Sequence, residues 1–176
     1  MGLFSRPQRV RRADAGRYRL DLPAEERALV ADLCGQLRAL LTETTDDPSL
    51  RRLFPTAYHD DVERDREYQQ LVRDELLDRR LSALDTVQAT HDATEVDAAQ
   101  LGTWMRALND LRLVIGTRLD VSEDALELDA DDPDAPAHAV YGYLSYLLGE
   151  VVDALGTGLG DPDPEADAGP GARFEG

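Results

Sequence analysis

Residues 97–119 read DAAQLGTWMRALNDLRLVIGTRL, and their spacing decides the fold class. Asp97 with Gln100 three positions on has the form of a capping box, in which each side chain takes up a free backbone N–H at the helix start. Behind it Leu101, Leu108, Ile115 and Leu119 recur at helical spacing, which predicts a helix from Ala98 to about Leu119. Three more long helices follow from the same reading. From Pro23 to about Thr44, Leu29, Val30, Leu33, Leu37, Leu40 and Leu41 share one face, with Pro23 in the first turn and Glu25 and Glu26 near the positive dipole end. From about Asp61 to His91 the apolar set is Val62, Tyr68, Leu71, Val72, Leu76, Leu77, Leu81, Leu84 and Val87, wider than one stripe, which predicts a helix packed on two sides. From near Pro136 to Leu155 the face is Val140, Leu144, Leu147, Leu148, Val151, Val152 and Leu155, and Gly156 marks the stop.

Two smaller elements complete the pattern. Asp47-Pro48 is an N-cap followed by proline, giving a short helix from Pro48 to Leu53 that ends before Pro55. Tyr18 to Leu22 alternates with period two and reads as one short strand, for which Leu126-Glu127-Leu128 is the weak candidate partner. The fold class is therefore all-α: a single-domain helical bundle of four long helices plus one short helix, with room for a minor short β pairing near the N-terminus. Residues 1–17 are expected to be a basic flexible arm, 18–155 the helical domain, and 156–176 a disordered acidic tail rich in Gly and Pro. The stretch from Asp120 to Asp134 holds eight acids and no base, and is expected to be a solvated connection.

Composition narrows function mainly by exclusion. The chain has 176 residues, 19 basic against 36 acidic, for a formal net charge of -17. Such a charge repels nucleic-acid backbones and anionic membranes, so nucleic acid is an unlikely partner despite Arg6, Arg9, Arg11, Arg12, Arg17 and Arg19 near the N-terminus. Every basic residue is arginine, which excludes a Schiff-base lysine and a P-loop lysine. One cysteine excludes an intramolecular disulfide, and no apolar run reaches the ~20 residues that span a bilayer. A soluble, cytoplasmic protein is expected. His59, His91 and His138 are too far apart to form a helical metal pair, and the acidic run at Asp129 lacks the glycine and glutamate of a calcium loop. No catalytic residue, metal or cofactor is assigned.

Two side chains stand out. Cys34 lies about 140° around the first helix from Leu29, taking ~100° per residue, and reads first as a small buried hydrophobe. The alternative is a redox-sensitive thiol activated by an arginine such as Arg38. Arg112 falls about 20° from Leu101 on the same wheel, inside the stripe of Leu108, Ile115 and Leu119. Burial there calls for a carboxylate from a neighbouring helix. Asn109, Asp110 and Arg118 are the further polar groups of this helix with an interaction or structural role.

The stretches Leu53-Phe54-Pro55-Thr56-Ala57-Tyr58 and Arg79-Arg80-Leu81-Ser82-Ala83-Leu84, and above all the run from Trp104 to Leu119, resemble an actinobacterial family of domains of unknown function. Its members are typically encoded beside the Clp adaptor ClpS and include AosR-like oxidative-stress regulators. The resemblance runs from about Tyr18 to Leu155. It implies a cytoplasmic regulatory protein, linked to redox homeostasis and cysteine biosynthesis, that acts through protein contacts with a stress sigma factor or a Clp-system component. A sensing disulfide needs two cysteines, so with Cys34 alone that switch does not carry over.

The leading expectation is a non-enzymatic regulatory or adaptor protein presenting an acidic helical surface to a basic partner protein. A DNA-binding transcriptional regulator using the arginine-rich arm is the second reading, and an enzyme with a dispersed polar site around Arg112 the third. The sequence leaves the oligomeric state open, a homodimer included.

Overall fold

The computed structural model describes residues 7–14, 16–44, 46–120 and 133–157. Four long helices dominate: α1 (Ala24–Glu43), α2 (Val62–Thr90), α3 (Ala98–Arg118) and α4 (Ala135–Thr157). One 3-10 turn, Pro48–Leu50, stands where the short helix to Leu53 is predicted. Three short strands, β1 (Val10–Arg12), β2 (Arg17–Leu20) and β3 (Glu95–Asp97), form an antiparallel sheet in that order.

The helix starts follow the chemistry written into the chain. Asp97 accepts from the Gln100 amide at 2.8 Å while the Gln100 side chain accepts from the Asp97 amide at 3.0 Å, closing the capping box. Asp47 caps the 3-10 turn through Ser49, and the Asp61 side chain accepts from the Arg64 amide at the head of α2. At its other end α4 passes through Gly156 and ends at Thr157, so glycine there did not stop the helix.

Helix α3 is the central element, with α2 and α4 packed on it and α1 lying against α2. Leu101, Trp104 and Leu108 of α3, Leu84 and Val87 of α2, Leu144, Leu147 and Val151 of α4 and Val30 of α1 are buried together. The Trp104 indole N–H donates to Thr90 Oγ1 at 2.8 Å, so the largest core side chain leaves no buried donor unmade. Close approach of α3 and α4 rests on Gly116: a Cβ there would lie 2.9 Å from the Tyr141 ring.

The strands correct two expectations. Val10 pairs with Leu20 and Tyr18 with Val96, so the partners of the Tyr18 strand are Val10–Arg12 and Glu95–Asp97, while Leu126–Leu128 lies outside the described residues. Residues 10–12 belong to the folded body and not to a flexible arm. The reason is burial: Val10 is fully enclosed, and with Tyr18, Leu20 and Val96 it gives the small sheet an apolar inner face. Gly16, at φ 75°, takes the left-handed conformation that lets the chain reverse between β1 and β2. The connection from 121 to 132 and the tail beyond 157 lie outside the described residues, and with them the expectations stated for those segments.

Helix α4 closes the outer edge of β1. Glu150 Oε2 accepts from the Arg9 and Val10 amides at 2.9 and 3.3 Å, and Arg9 makes a two-pronged pair with Glu26 of α1 at 2.9 and 2.6 Å. Glu26 also accepts from the Tyr143 hydroxyl at 3.0 Å, joining β1, α1 and α4 in one polar network. Glu150→Ala removes the acceptor of two edge amides and is expected to cost about 1–3 kcal/mol, read as a lower urea midpoint. An unchanged midpoint would mean that water serves those amides equally well.

Candidate functional site

A cleft of about 750 Å³ opens between α2 and α3. Asp78, Arg79, Arg80, Ser82 and Thr86 line it from α2, and Thr103, Arg106, Asn109 and Asp110 from α3. At its floor Arg80 pairs with Asp110, and its second terminal nitrogen donates to the Leu53 carbonyl at 2.7 Å. Asp110 is 7% exposed. Burial pushes its carboxyl above the ordinary carboxylate range, and the Arg80 guanidinium pulls the other way. Arg106 donates to Thr103 Oγ1, and Arg79 pairs with Glu75 one turn back on α2. The deepest charges thus hold the two helices and the Leu53 carbonyl together. The carboxylate–arginine pair expected between helices exists, but it joins Asp110 and Arg80.

Arg112 differs from the expectation. It is half-buried, its Nε is enclosed without a hydrogen-bond partner, and no carboxylate pairs with it among the described residues. The wheel reading missed that α3 is covered on most of its circumference, so Asp110 is buried deeper than Arg112 and takes the partner from α2. Asn109 joins Asp110 in the cleft. Arg118 is exposed and lines a smaller hollow between α1 and α3 that contains Leu33, Leu40 and Ile115. The four polar residues of α3 do not converge on one site.

Cys34 is fully buried, and burial pushes its thiol up to about 12. Arg38, the arginine considered as its activator, instead pairs with Asp85 of α2. A neutral, enclosed thiol is a poor nucleophile. Native protein at pH ~8 should therefore resist iodoacetamide and label fully once denatured, as mass spectrometry would show. Rapid native labelling would show a thiol open to solvent.

The outer side of α2 presents a different surface. Val62, Leu71 and Tyr68 are 77, 81 and 39% exposed, and in this helix only Ala83, Leu84 and Val87 are fully buried. The helix is packed on two sides as expected, against α3 and α1, but the apolar residues of its first half, Val62, Tyr68 and Leu71, face out. Around Leu71 stand Glu67 one turn before, Asp74 and Glu75 one turn after and Asp78 two turns after, all exposed. Tyr68 packs edge-on to Tyr58 with centroids 5.9 Å apart, and Arg64 lies over the Tyr58 ring at 4.4 Å.

With this geometry in place, comparison with known proteins identifies the family. Residues 6–155 match the family described as domain of unknown function DUF2017. The chain belongs to this family. The protein is 29% identical over 193 residues to the oxidative stress regulator AosR of Mycobacterium bovis and, to the same extent, to that of Mycobacterium tuberculosis, covering 87% of this chain and 88% of each relative. No solved structure matches.

The DUF2017 match begins at residue 6 and so takes in β1, the part expected to be a free arm. Its described arginines are engaged: Arg9 with Glu26, Arg11 with Asp21 at 2.9 Å, Arg12 with the Thr157 carbonyl at 3.2 Å and Arg17 with Glu95 at 4.0 Å, while Arg19 beyond it also meets Asp21 at 3.2 Å. Sequence reading also passed over Arg27. From the first turn of α1 it donates to the carbonyls of Leu20, Leu22, His91 and Ala93 at 2.5 to 2.8 Å, tying β2 and the end of α2 to α1. Its one signal was a cation at the positive end of a helix, where an acid is favoured. No described helix is long and apolar enough to cross a membrane.

Proposed function

We propose that this chain is a non-enzymatic regulatory protein of the oxidative-stress response, acting through contact with a basic partner protein. The observation that carries the reading is Leu71, 81% exposed on a helix face where Glu67, Asp74, Glu75 and Asp78 surround it. Isolated exposed leucines are common, but one set among carboxylates on a rigid helix gives a partner both an apolar anchor and a charge pattern. Support comes from the two AosR relatives, whose name states a role in oxidative stress. A sigma factor or a Clp-system component is the partner class that the family resemblance suggests, and the working place is the cytoplasm. Cys34, enclosed as it is, leaves oxidant sensing to the partner or to a step upstream.

The test is affinity purification of the full chain from its native host, with and without peroxide. A basic protein retained at about 0.15 M salt and released as salt rises is the expected result. Recovery of no specific protein would overturn the proposal. Duplex DNA serves as the contrasting ligand: with Arg9, Arg11 and Arg17 paired to acids, the protein should show no sequence-dependent binding in anisotropy titrations at about 0.15 M salt. Sequence-dependent binding there would favour a transcription factor.

A further inference from the structure

We propose that the outward face of α2 from Glu67 to Asp78 is the docking surface, and that its occupant is a basic amphipathic helix of the partner with an apolar residue seated on Leu71 and Tyr68; the proposal rests on the protein-contact reading above. Leu71 is 81% and Tyr68 39% exposed, three positions apart and so adjacent on one face. Glu67, Asp74 and Asp78 line the same face and have no ion-pair partner among the described residues, while Glu75 is held by Arg79. An apolar centre with a charged rim is the composition of a helix-binding surface.

Charge selects the occupant. A second copy docking through the same face would set Glu67, Asp74 and Asp78 against their own equivalents, which like-charge repulsion opposes. Anionic lipid and nucleic acid meet the same repulsion. A helix bearing arginine or lysine on either side of an apolar stripe pairs with the three free carboxylates while covering Leu71. The surface is also pre-formed: Tyr68 is fixed edge-on to Tyr58, Arg64 lies over the Tyr58 ring, and the Gln69 side chain donates to the Pro55 carbonyl at 2.9 Å. These contacts anchor the free half of α2 to the segment before it, so little ordering is needed on binding.

The probe is a synthetic 14-residue amphipathic helix built only of leucine and lysine, titrated into the full chain while amide chemical shifts are followed. Perturbations should centre on Glu67 to Asp78. Leu71→Asp should weaken binding about tenfold or more, whereas Val152→Asp, at a 48% exposed position on α4, should leave it unchanged. A probe with serine in place of leucine should bind at least tenfold more weakly than the parent. Equal affinity of Leu71→Asp and wild type, equal affinity of the serine probe, or perturbations spread over the whole acidic surface would overturn the proposal, since each signals diffuse charge attraction. The same Leu71→Asp chain used as bait separates the two readings. If it still captures the host protein that wild type captures, the protein-contact reading stands and this surface is wrong; if wild type captures none, the broader reading fails.

Discussion

Arg80→Met should destabilise the protein by about 3–5 kcal/mol, because it leaves the buried Asp110 carboxylate without its counter-charge. Methionine retains much of the stem's packing, so the loss reads mainly on charge and on the Leu53 carbonyl, which loses its donor. The loss should depend on pH in a defined sense. Burial already raises the Asp110 pKa and Arg80 opposes that shift, so removing Arg80 raises it further. A carboxyl whose folded pKa lies above its unfolded value favours the fold at low pH and loses that contribution as pH rises through the folded value. The variant should thus come closest to wild type in acid and fall furthest behind near neutrality. Adding Asp110→Leu should recover most of the deficit, since a well-packed apolar replacement of a buried pair is often neutral. Equal stability of Arg80→Met and wild type at pH ~7 would show that the pair contributes nothing net.

Arg27→Glu sets local and tertiary physics against each other. An acid in the first turn of α1 should help the isolated helix by about 0.3–1 kcal/mol through the dipole. In the folded protein it removes four charge-assisted hydrogen bonds and places a carboxylate among four carbonyls. A single hydrogen bond to a charged group is worth about 1.5–3 kcal/mol, so the tertiary loss wins, and a net cost of about 3 kcal/mol or more is expected in chemical denaturation. Arg27→Lys should recover only part of this, because three donors on a point charge cannot reproduce a planar fork. A stabilised Arg27→Glu protein would show that the hub is dispensable.

The long helices were legible because their signals are local. The Asp97 and Gln100 box, the Asp47 and Asp61 caps and the leucine stripes lie within a few residues of what they determine. What the sequence hid depends on contacts between distant segments. Val10 is apolar but stands among arginines, and only pairing with Leu20 and the acceptor supplied by Glu150, 140 residues away, shows why it is buried. Leu71 and Val62 belong to the apolar count of α2, yet periodicity cannot tell an unpartnered stripe from one that is covered. The same limit moved the interhelical ion pair from Arg112 to Asp110. On the wheel Arg112 lies within the leucine stripe, but the positions of α2, α4 and the Leu53 segment decide which polar residue is enclosed. Cys34 could be read either way from sequence, and its full burial decides for the core.

The central claim is that the outward face of α2 mediates regulation, and complementation tests it most directly. In the native host deleted for this gene, wild-type chain and Leu71→Asp should be expressed at equal levels, after far-UV circular dichroism has established that both fold alike. Leu71 is 81% exposed, so the substitution should leave the unfolding midpoint within about 0.5 kcal/mol of wild type. The account predicts that wild type restores survival after peroxide challenge and that Leu71→Asp does not. Full restoration by Leu71→Asp would contradict it.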